Sequence, residues 1–265
     1  MKQRADVALC ERGLAQSREK AQAYIIAGRA YVGERRVDKA SEQISPEDPL
    51  ILRGEDENWA SRGAHKLEKA LNVFQADVKG LFAMDIGAAS GGFTDVLLRY
   101  GAAHVYAIDV GYGQLEWRLR QDKRVTVMER TNARAMTGEM FHHQPTLTVM
   151  DVSFISIRLI IPAAIAVMGD QGRFITLIKP QFEAGRGLVG KNGVVREMQT
   201  HITVLQEIRD FVSGLGWQVD QLAFSPIKGP KGNIEFLADI RQGEHRKVSD
   251  LDIRRLVEDA HRELY

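Results

Sequence analysis

A chain of 265 residues with 44% hydrophobic and 27% charged residues can bury one large core plus a small appended module, and it is too apolar to be disordered. Its net charge of +1 excludes a strong global field, so any nucleic-acid affinity must come from local patches. A single cysteine, Cys10, excludes an internal disulfide and a cysteine-cluster metal site. It fits a reducing cytoplasm, and neither a signal segment nor an apolar run of the ~20 residues a membrane span needs is visible.

Residues 1–40 hold nine Lys/Arg against five Asp/Glu, whereas residues 41–58 set six carboxylates against Arg53 alone. With Pro46 and Pro49 in the acidic stretch, a domain boundary is expected near residues 53–62. Before it, Val7, Leu9, Cys10 and Leu14 predict a short helix ended by Gly13. Ser17 is the expected N-cap of a second helix, with Glu19 in its first turn, Ala21, Tyr24 and Ile25 at helical spacing, and Gly28 as its stop. Two short strands, "AYV" and "PLIL", follow, separated by the Gly33-Glu34 turn and a polar stretch. Arg4, Arg12, Arg18, Lys20 and Arg29 lie on or beside the helices, as a solvated basic face or as a surface for RNA phosphates.

From residue 81 strands and helices alternate. Strands are expected over 81–86, 104–110, 125–128, 147–151, 173–179, 218–224 and 235–240, with amphipathic helices such as 93–100, 115–121 and 198–215 between them. Nearly continuous apolar strands in this order predict an α/β domain with a mostly parallel sheet covered on both faces. Ligands in such sheets bind at the carboxyl ends of the strands.

The first strand runs into "MDIGAASGGFTDVLL", where Gly87, Gly91 and Gly92 make a tight strand-to-helix turn that lets a ligand approach the backbone. The dinucleotide pattern G-x-G-x-x-G is absent, because Ala89 stands in the place of its second glycine. Asp85 precedes the turn, Asp109 ends the second strand where it can accept from ribose hydroxyls, and Asn132 follows Glu129 after the third. This D-x-G-x-x-x-G-G segment followed by Asp109 resembles the S-adenosylmethionine site of class I methyltransferases. The resemblance implies that Asp85, Gly87, Ser90, Gly91 and Gly92 surround the methionine and ribose portion, that Asp109 holds the ribose, and that Asn132 lies near the adenine.

Three acceptor chemistries can be weighed. Amino-directed enzymes carry an Asp/Asn-Pro-Pro-aromatic tetrapeptide after the fourth strand, and here that strand ends "VMDVSF". Pyrimidine C5 methylation needs a cysteine nucleophile, and Cys10 lies in the other domain. A ribose 2′-hydroxyl is a weak acid, so it needs a base or a positive charge near its oxygen, and a strand-end lysine suits that task. Lys66 in "SRGAHKLEKAL", Asp151 in "MDVSF", Lys179 in "LIKPQFEAG" and Glu235 in "GPKGNIEFL" form a set for this chemistry. Taken singly, Lys66 competes with its neighbour Lys69, Asp151 could cap a turn, and Glu235 could pair with Lys228 or Lys231.

The Lys–Asp–Lys–Glu set resembles the tetrad of FtsJ-type ribose 2′-O-methyltransferases. More closely, the chain resembles the TlyA family of bacterial ribosomal-RNA methyltransferases, historically called hemolysins, through "SRGAHKLEKAL", "DIGAASGGFTDVLL", "VYAIDVGYGQL", "ERTNAR", "DVSFISIRL", "KPQFEAGR", "GKNGVVR" and "SPIKGPKGNIEFL". One departure is Ala64-His65, where a second glycine and an apolar residue are more usual. The resemblance implies an alpha-L type RNA-binding domain over 1–58, a linker and a helix carrying Lys66 over 59–80, and a Rossmann-like class I methyltransferase domain with a seven-stranded sheet over 81–265. It further implies S-adenosylmethionine as cofactor and a cytidine of ribosomal RNA, in a subunit or assembly intermediate, as substrate. Competing expectations are a membrane-active hemolysin, which would leak liposomes, and a non-catalytic ribosome-assembly factor, which would not bind S-adenosylmethionine.

Remaining features are less pointed. The loop over 181–194, with four glycines, Arg186 and Lys191, is placed to close over substrate, and Arg62 to meet an RNA phosphate. The histidines are scattered, and His142-His143 lacks the i, i+4 spacing of a helical metal pair, so no metal is expected. Residues 250–264 form an amphipathic helix expected to pack on the domain.

Overall fold

A computed structural model describes residues 2–26, 28–52, 59–243 and 247–264. The chain divides into two compact units, Met1–Asn58 and Trp59–Tyr265. Part of the expected boundary, residues 53–58, lies outside the described residues.

The first unit runs β1 (Gln3–Arg4), α1 (Ala5–Glu11), α2 (Arg18–Ile26), β2 (Ala30–Val32), β3 (Arg35–Arg36), β4 (Gln43–Ile44) and β5 (Leu50–Leu52). Ser17 Oγ accepts the Lys20 N–H at the start of α2, and Gly28 ends that helix at φ +70°. The expected "AYV" and "PLIL" segments pair antiparallel as β2 and β5. β3 extends their sheet and β1 pairs with β4, short strands that carry no alternating pattern to betray them. Ala8, Leu9, Ala21, Tyr24, Ile25, Val37 and Ile44 bury a small core under them.

The second unit opens with α3 (Ala64–Val73), and residues 59–80 belong to the same compact unit as the large sheet. It continues β6 (Phe82–Ile86), α4 (Gly92–Arg99), β7 (His104–Ile108), α5 (Trp117–Arg120), β8 (Val125–Met128), β9 (Leu147–Met150), α6 (Ile161–Met168), β10 (Arg173–Ile178), α7 (Pro180–Glu183), α8 (Met198–Gly214), β11 (Trp217–Phe224), β12 (Phe236–Gln242) and α9 (Asp250–Leu264). Seven strands form one sheet in the order β11-β12-β10-β9-β6-β7-β8. Every neighbouring pair is parallel except those of β12, which runs antiparallel to both β10 and β11.

Apolar clusters cover both faces of this sheet. Met84, Ile86, Ile108, Phe174, Ile178 and Phe236 meet α6 and α8 on one side, and Ala83, Val105, Val149, Ile175 and Leu177 meet α3 and α4 on the other. Each large side chain so buried contributes about 1.5–3 kcal/mol, which fixes the strand ends that carry the polar residues. In α9, Ile253, Val257 and Ala260 are buried, while Leu251 faces outward.

Candidate active site

The carboxyl ends of β6, β9 and β10 share one edge of the sheet. Because β12 is reversed, the residue before it, Glu235, reaches that same edge. β6 leads into the glycine turn, Asp151 follows β9, and Lys179 follows β10. α3 supplies the fourth group: Ala64, Leu67, Ala70 and Leu71 bury one side of this helix, and Lys66 shares it with a side chain only 8% exposed. Lys69, its rival in the sequence, lays its ammonium over the Phe224 ring at 3.8 Å instead.

Lys66 Nζ donates to Glu235 Oε2 at 2.7 Å and to Asp151 Oδ2 at 3.4 Å. Lys179 Nζ stands 2.6 Å from Asp151 Oδ1 and donates to Ser153 Oγ at 2.9 Å. The four predicted residues thus form one continuous array, Glu235–Lys66–Asp151–Lys179, with two positive and two negative charges. Glu235 is nearly sealed, its side chain 1% exposed, so its alternative partners Lys228 and Lys231 are not the ones it takes. Burial pulls the Lys66 ammonium down, but Asp151 and Glu235 more than offset it and hold the group above its ordinary value. Lys66 is therefore a fixed cation. Gly229 is required beside this array, because a side chain there would come within 2.5 Å of Glu235 Oε1.

A cavity of about 930 Å³ opens over the array and over Gly87, Ala88, Ala89 and Gly92. Ser90 and Gly91 continue the same turn. The three glycines are also needed for the protein's own packing. A methyl group on Gly87 would sit 2.9 Å from the Asp151 carbonyl oxygen, one on Gly91 would strike Leu115 and Leu119, and one on Gly92 would strike Ser61. Ala89 takes the left-handed conformation, at φ +47°.

Asp85 lies fully buried at the end of β6. One of its oxygens accepts from Thr94 Oγ at 2.7 Å and the other, Oδ1, has no partner. Burial pushes its carboxyl up to about 7 despite the Thr94 hydrogen bond. Asp109 ties the turn to the next strand end by accepting the Ala89 and Gly111 N–H groups at 2.9 and 2.7 Å. Asn132 is exposed beyond β8 and accepts from the Arg134 N–H as the cap of a short 3₁₀ turn.

Several side chains of the site went unpredicted. Ser153 and Gln181, whose Nε2 donates to Glu235 Oε1 at 3.3 Å, each sit two residues beyond a predicted group, which is the signal that could have found them. Phe154 is 90% exposed at φ +64°, with its ring 5.2 Å from that of Phe182. Buried Glu183 accepts from Ser156 Oγ and the Ile157 N–H, fastening the loop after Asp151 to the helix after Lys179. In the loop over 181–194, the side chain of Arg186 lies outside the described residues.

The basic residues of the first unit are organised rather than loose. Arg4 and Arg18 both bind the buried carboxylate of Asp6, and the Arg4 hydrogen bonds hold it well below the usual carboxylate range. Lys20 and Arg29 flank the Tyr24 ring at 5.2 and 4.8 Å. Arg12 is spent on the carbonyls of Ser45, Pro46 and Asp48. In the second unit, exposed Arg62 lines the cavity over the array.

Comparison with known proteins accords with this geometry. Residues 59–241 match the FtsJ-like methyltransferase family and residues 3–50 match the S4 domain family. The chain is 47% identical to a candidate rRNA methyltransferase of Bacillus subtilis strain 168, over 99% of this chain and 95% of that protein. It is 42% identical to the 16S/23S rRNA (cytidine-2′-O)-methyltransferase TlyA of Mycobacterium tuberculosis H37Rv, over 93% of this chain and 92% of that one. A solved structure from Streptococcus thermophilus, described as a candidate hemolysin, superposes with a TM-score of 0.77 at 44% identity, covering 99% of this chain and 96% of that one. With its fold, its glycine turn and its two matched domains accounted for, the chain belongs to the TlyA family, an FtsJ-like methyltransferase domain preceded by an S4 domain.

Proposed function

We propose that this protein methylates the 2′-hydroxyl of a cytidine ribose in ribosomal RNA, and that Lys66, Asp151, Lys179 and Glu235 carry the reaction. The observation behind this reading is the buried four-charge array at the sheet edge, open to a cavity that also reaches the glycine turn. S-adenosylmethionine, when bound, supplies an electrophilic methyl group on a sulfonium. The residues present fit it: the unpartnered oxygen of Asp85 suits its ammonium, and Gly87, Ser90, Gly91, Gly92, Asp109 and Asn132 are the other residues assigned to hold it.

Lys179 is the group assigned to the 2′-oxygen. As a neutral amine it takes the hydroxyl proton; as an ammonium it lowers the hydroxyl pKa and steadies the charge that develops on oxygen. Asp151 and Ser153 fix the Lys179 head group, and Glu235 holds Lys66 so that its cation faces the same cavity. Phe154 offers an exposed ring on which the target base can stack.

Arg4, Arg18, Lys20 and Arg29 in the S4 unit and Arg62 in the second unit are assigned to RNA phosphates, with a ribosomal subunit or assembly intermediate in the cytoplasm as the substrate. Among the described residues no helix is long and apolar enough to cross a membrane. The test is to map ribose methylation in ribosomal RNA from cells with and without the protein. Lys179→Ala should lower turnover by about 10²–10⁴-fold while leaving S-adenosylmethionine binding intact. An unchanged 2′-methylation map, or near-normal turnover by the variant, defeats the proposal.

A further inference from the structure

A second cavity, of about 980 Å³, adjoins the catalytic one and shares Gln181, Phe182, Val189, Gly193 and Lys231 with it. Lys191 and Asn192 line the second cavity alone. Building on the RNA-methylation reading, we infer that this annex holds the nucleotide next to the methylated one, with Phe182 against its base and Lys191 and Lys231 against its phosphates.

The charges carry the argument. In this unit Arg99, Arg118, Arg120, Arg124, Arg158 and Arg173 each have a carboxylate partner. Neither Lys191 nor Lys231 has an ion pair or side-chain hydrogen bond among the described residues, although they face one concave space. Two uncompensated ammoniums around a cavity fit a ligand that brings its own negative charge at regular intervals, and a nucleic-acid strand does so. Phe182 supplies what a phosphate alone would not need, an aromatic wall common to both cavities.

The annex is also held in shape. Asn233, almost fully buried, accepts the Val195 N–H at 2.9 Å and donates to the Gly193 carbonyl at 2.9 Å. Its two bonds tie the glycine-rich wall to the turn that bears Lys231. Lys231 lies over Gly193 so closely that a side chain there would meet its Nζ at 3.5 Å. The wall and the lysine are therefore positioned together before any ligand arrives.

The test compares the full-length protein with the double variant Lys191→Gln/Lys231→Gln, measuring binding to deproteinised ribosomal RNA over a range of salt. Losing two single-strand phosphate contacts should make the slope of log K against log salt shallower by about 1.4, so that a rise from about 50 to about 200 mM salt weakens the variant about 7-fold less than the wild type. Lys79→Gln/Lys123→Gln removes the same charge just before β6 and β8, at the opposite edge of the sheet, and should keep the wild-type slope. Parallel slopes for wild type and Lys191→Gln/Lys231→Gln overturn the inference, as does an equal change in the control pair. Absence of ribose methylation by the wild type would instead defeat the reading beneath it, and because the slopes do not depend on turnover the two failures are distinct.

Discussion

Replacing Lys66 by Met keeps the volume of the side chain and removes only its charge, which makes it a sharp probe of the array. In the folded protein Lys66 Nζ is 2.7 Å from Glu235 Oε2 and 3.4 Å from Asp151 Oδ2, with its own side chain 8% exposed. Asp151 retains Lys179 at 2.6 Å after the change, but Glu235 retains only the Gln181 amide at 3.3 Å. Removing one partner of a buried ion pair costs about 3–5 kcal/mol, chiefly because the remaining charge stays desolvated. All three tryptophans, Trp59, Trp117 and Trp217, lie in the second unit, so their fluorescence follows its unfolding without interference from the S4 unit. With an m-value of about 2–3 kcal/mol/M, the urea midpoint should fall by about 1–2.5 M. Adding Glu235→Gln to Lys66→Met neutralises the stranded carboxylate and should recover most of that loss, even though each single change alone is destabilising. A Lys66→Met protein within about 0.5 kcal/mol of wild type, or a double variant no better than the single, would refute the claim that this lysine compensates Glu235.

Three further outcomes follow from single groups. Asp85 has its carboxyl raised to about 7, so the stability it contributes is full below about pH 4 and is lost as pH climbs through 7. At pH 8 without cofactor, Asp85→Asn should therefore be more stable than wild type by up to about 4 kcal/mol while binding S-adenosylmethionine more weakly; thermal shifts with and without the cofactor read both effects, and equal stability at pH 8 counts against the buried charge. Phe154→Ala removes a ring that is 90% exposed, so unfolding should move by less than about 0.5 kcal/mol while kcat/KM for RNA drops about 10–100-fold, and a normal kcat/KM would remove Phe154 from the base-stacking role. His201, buried against Phe236 with its Nδ1 2.9 Å from His261 Nε2, has its pKa lowered to about 4 by burial. Its contribution is present above about pH 6.5 and lost as pH falls through 4, so urea curves should show up to about 3 kcal/mol of acid destabilisation that His201→Gln flattens, and an unaltered acid limb would contradict it.

Two members of the four-charge array were legible in the sequence because each violates an expectation about its place in the chain. Lys179 ends an apolar strand, Asp151 ends another, and a lysine or carboxylate so placed needs a reason to accept burial. The direction of β12 is what brings Glu235 to the same edge, and the sequence of that strand says nothing about its direction. The glycines after β6 were legible as a tight strand-to-helix turn, but the groups of the protein packed against them were not. A glycine reports that something approaches closely without reporting what, and here the approaching groups are the Asp151 carbonyl, Leu115, Leu119 and Ser61. Arg4 and Arg18 show the same blindness from the other side: their charge was visible, but not the buried Asp6 that aligns both. Glu183 and Asn233 were missed because nothing in their neighbours distinguishes a surface polar residue from a buried one that satisfies backbone groups. Both stand close to predicted groups, four residues after Lys179 and two before Glu235, and both bind loop backbone. Reactive residues thus announce themselves through the energetic cost of their burial, whereas the residues that aim them carry that cost in bonds to main-chain atoms, and those bonds leave no periodicity for a reader of the sequence to find.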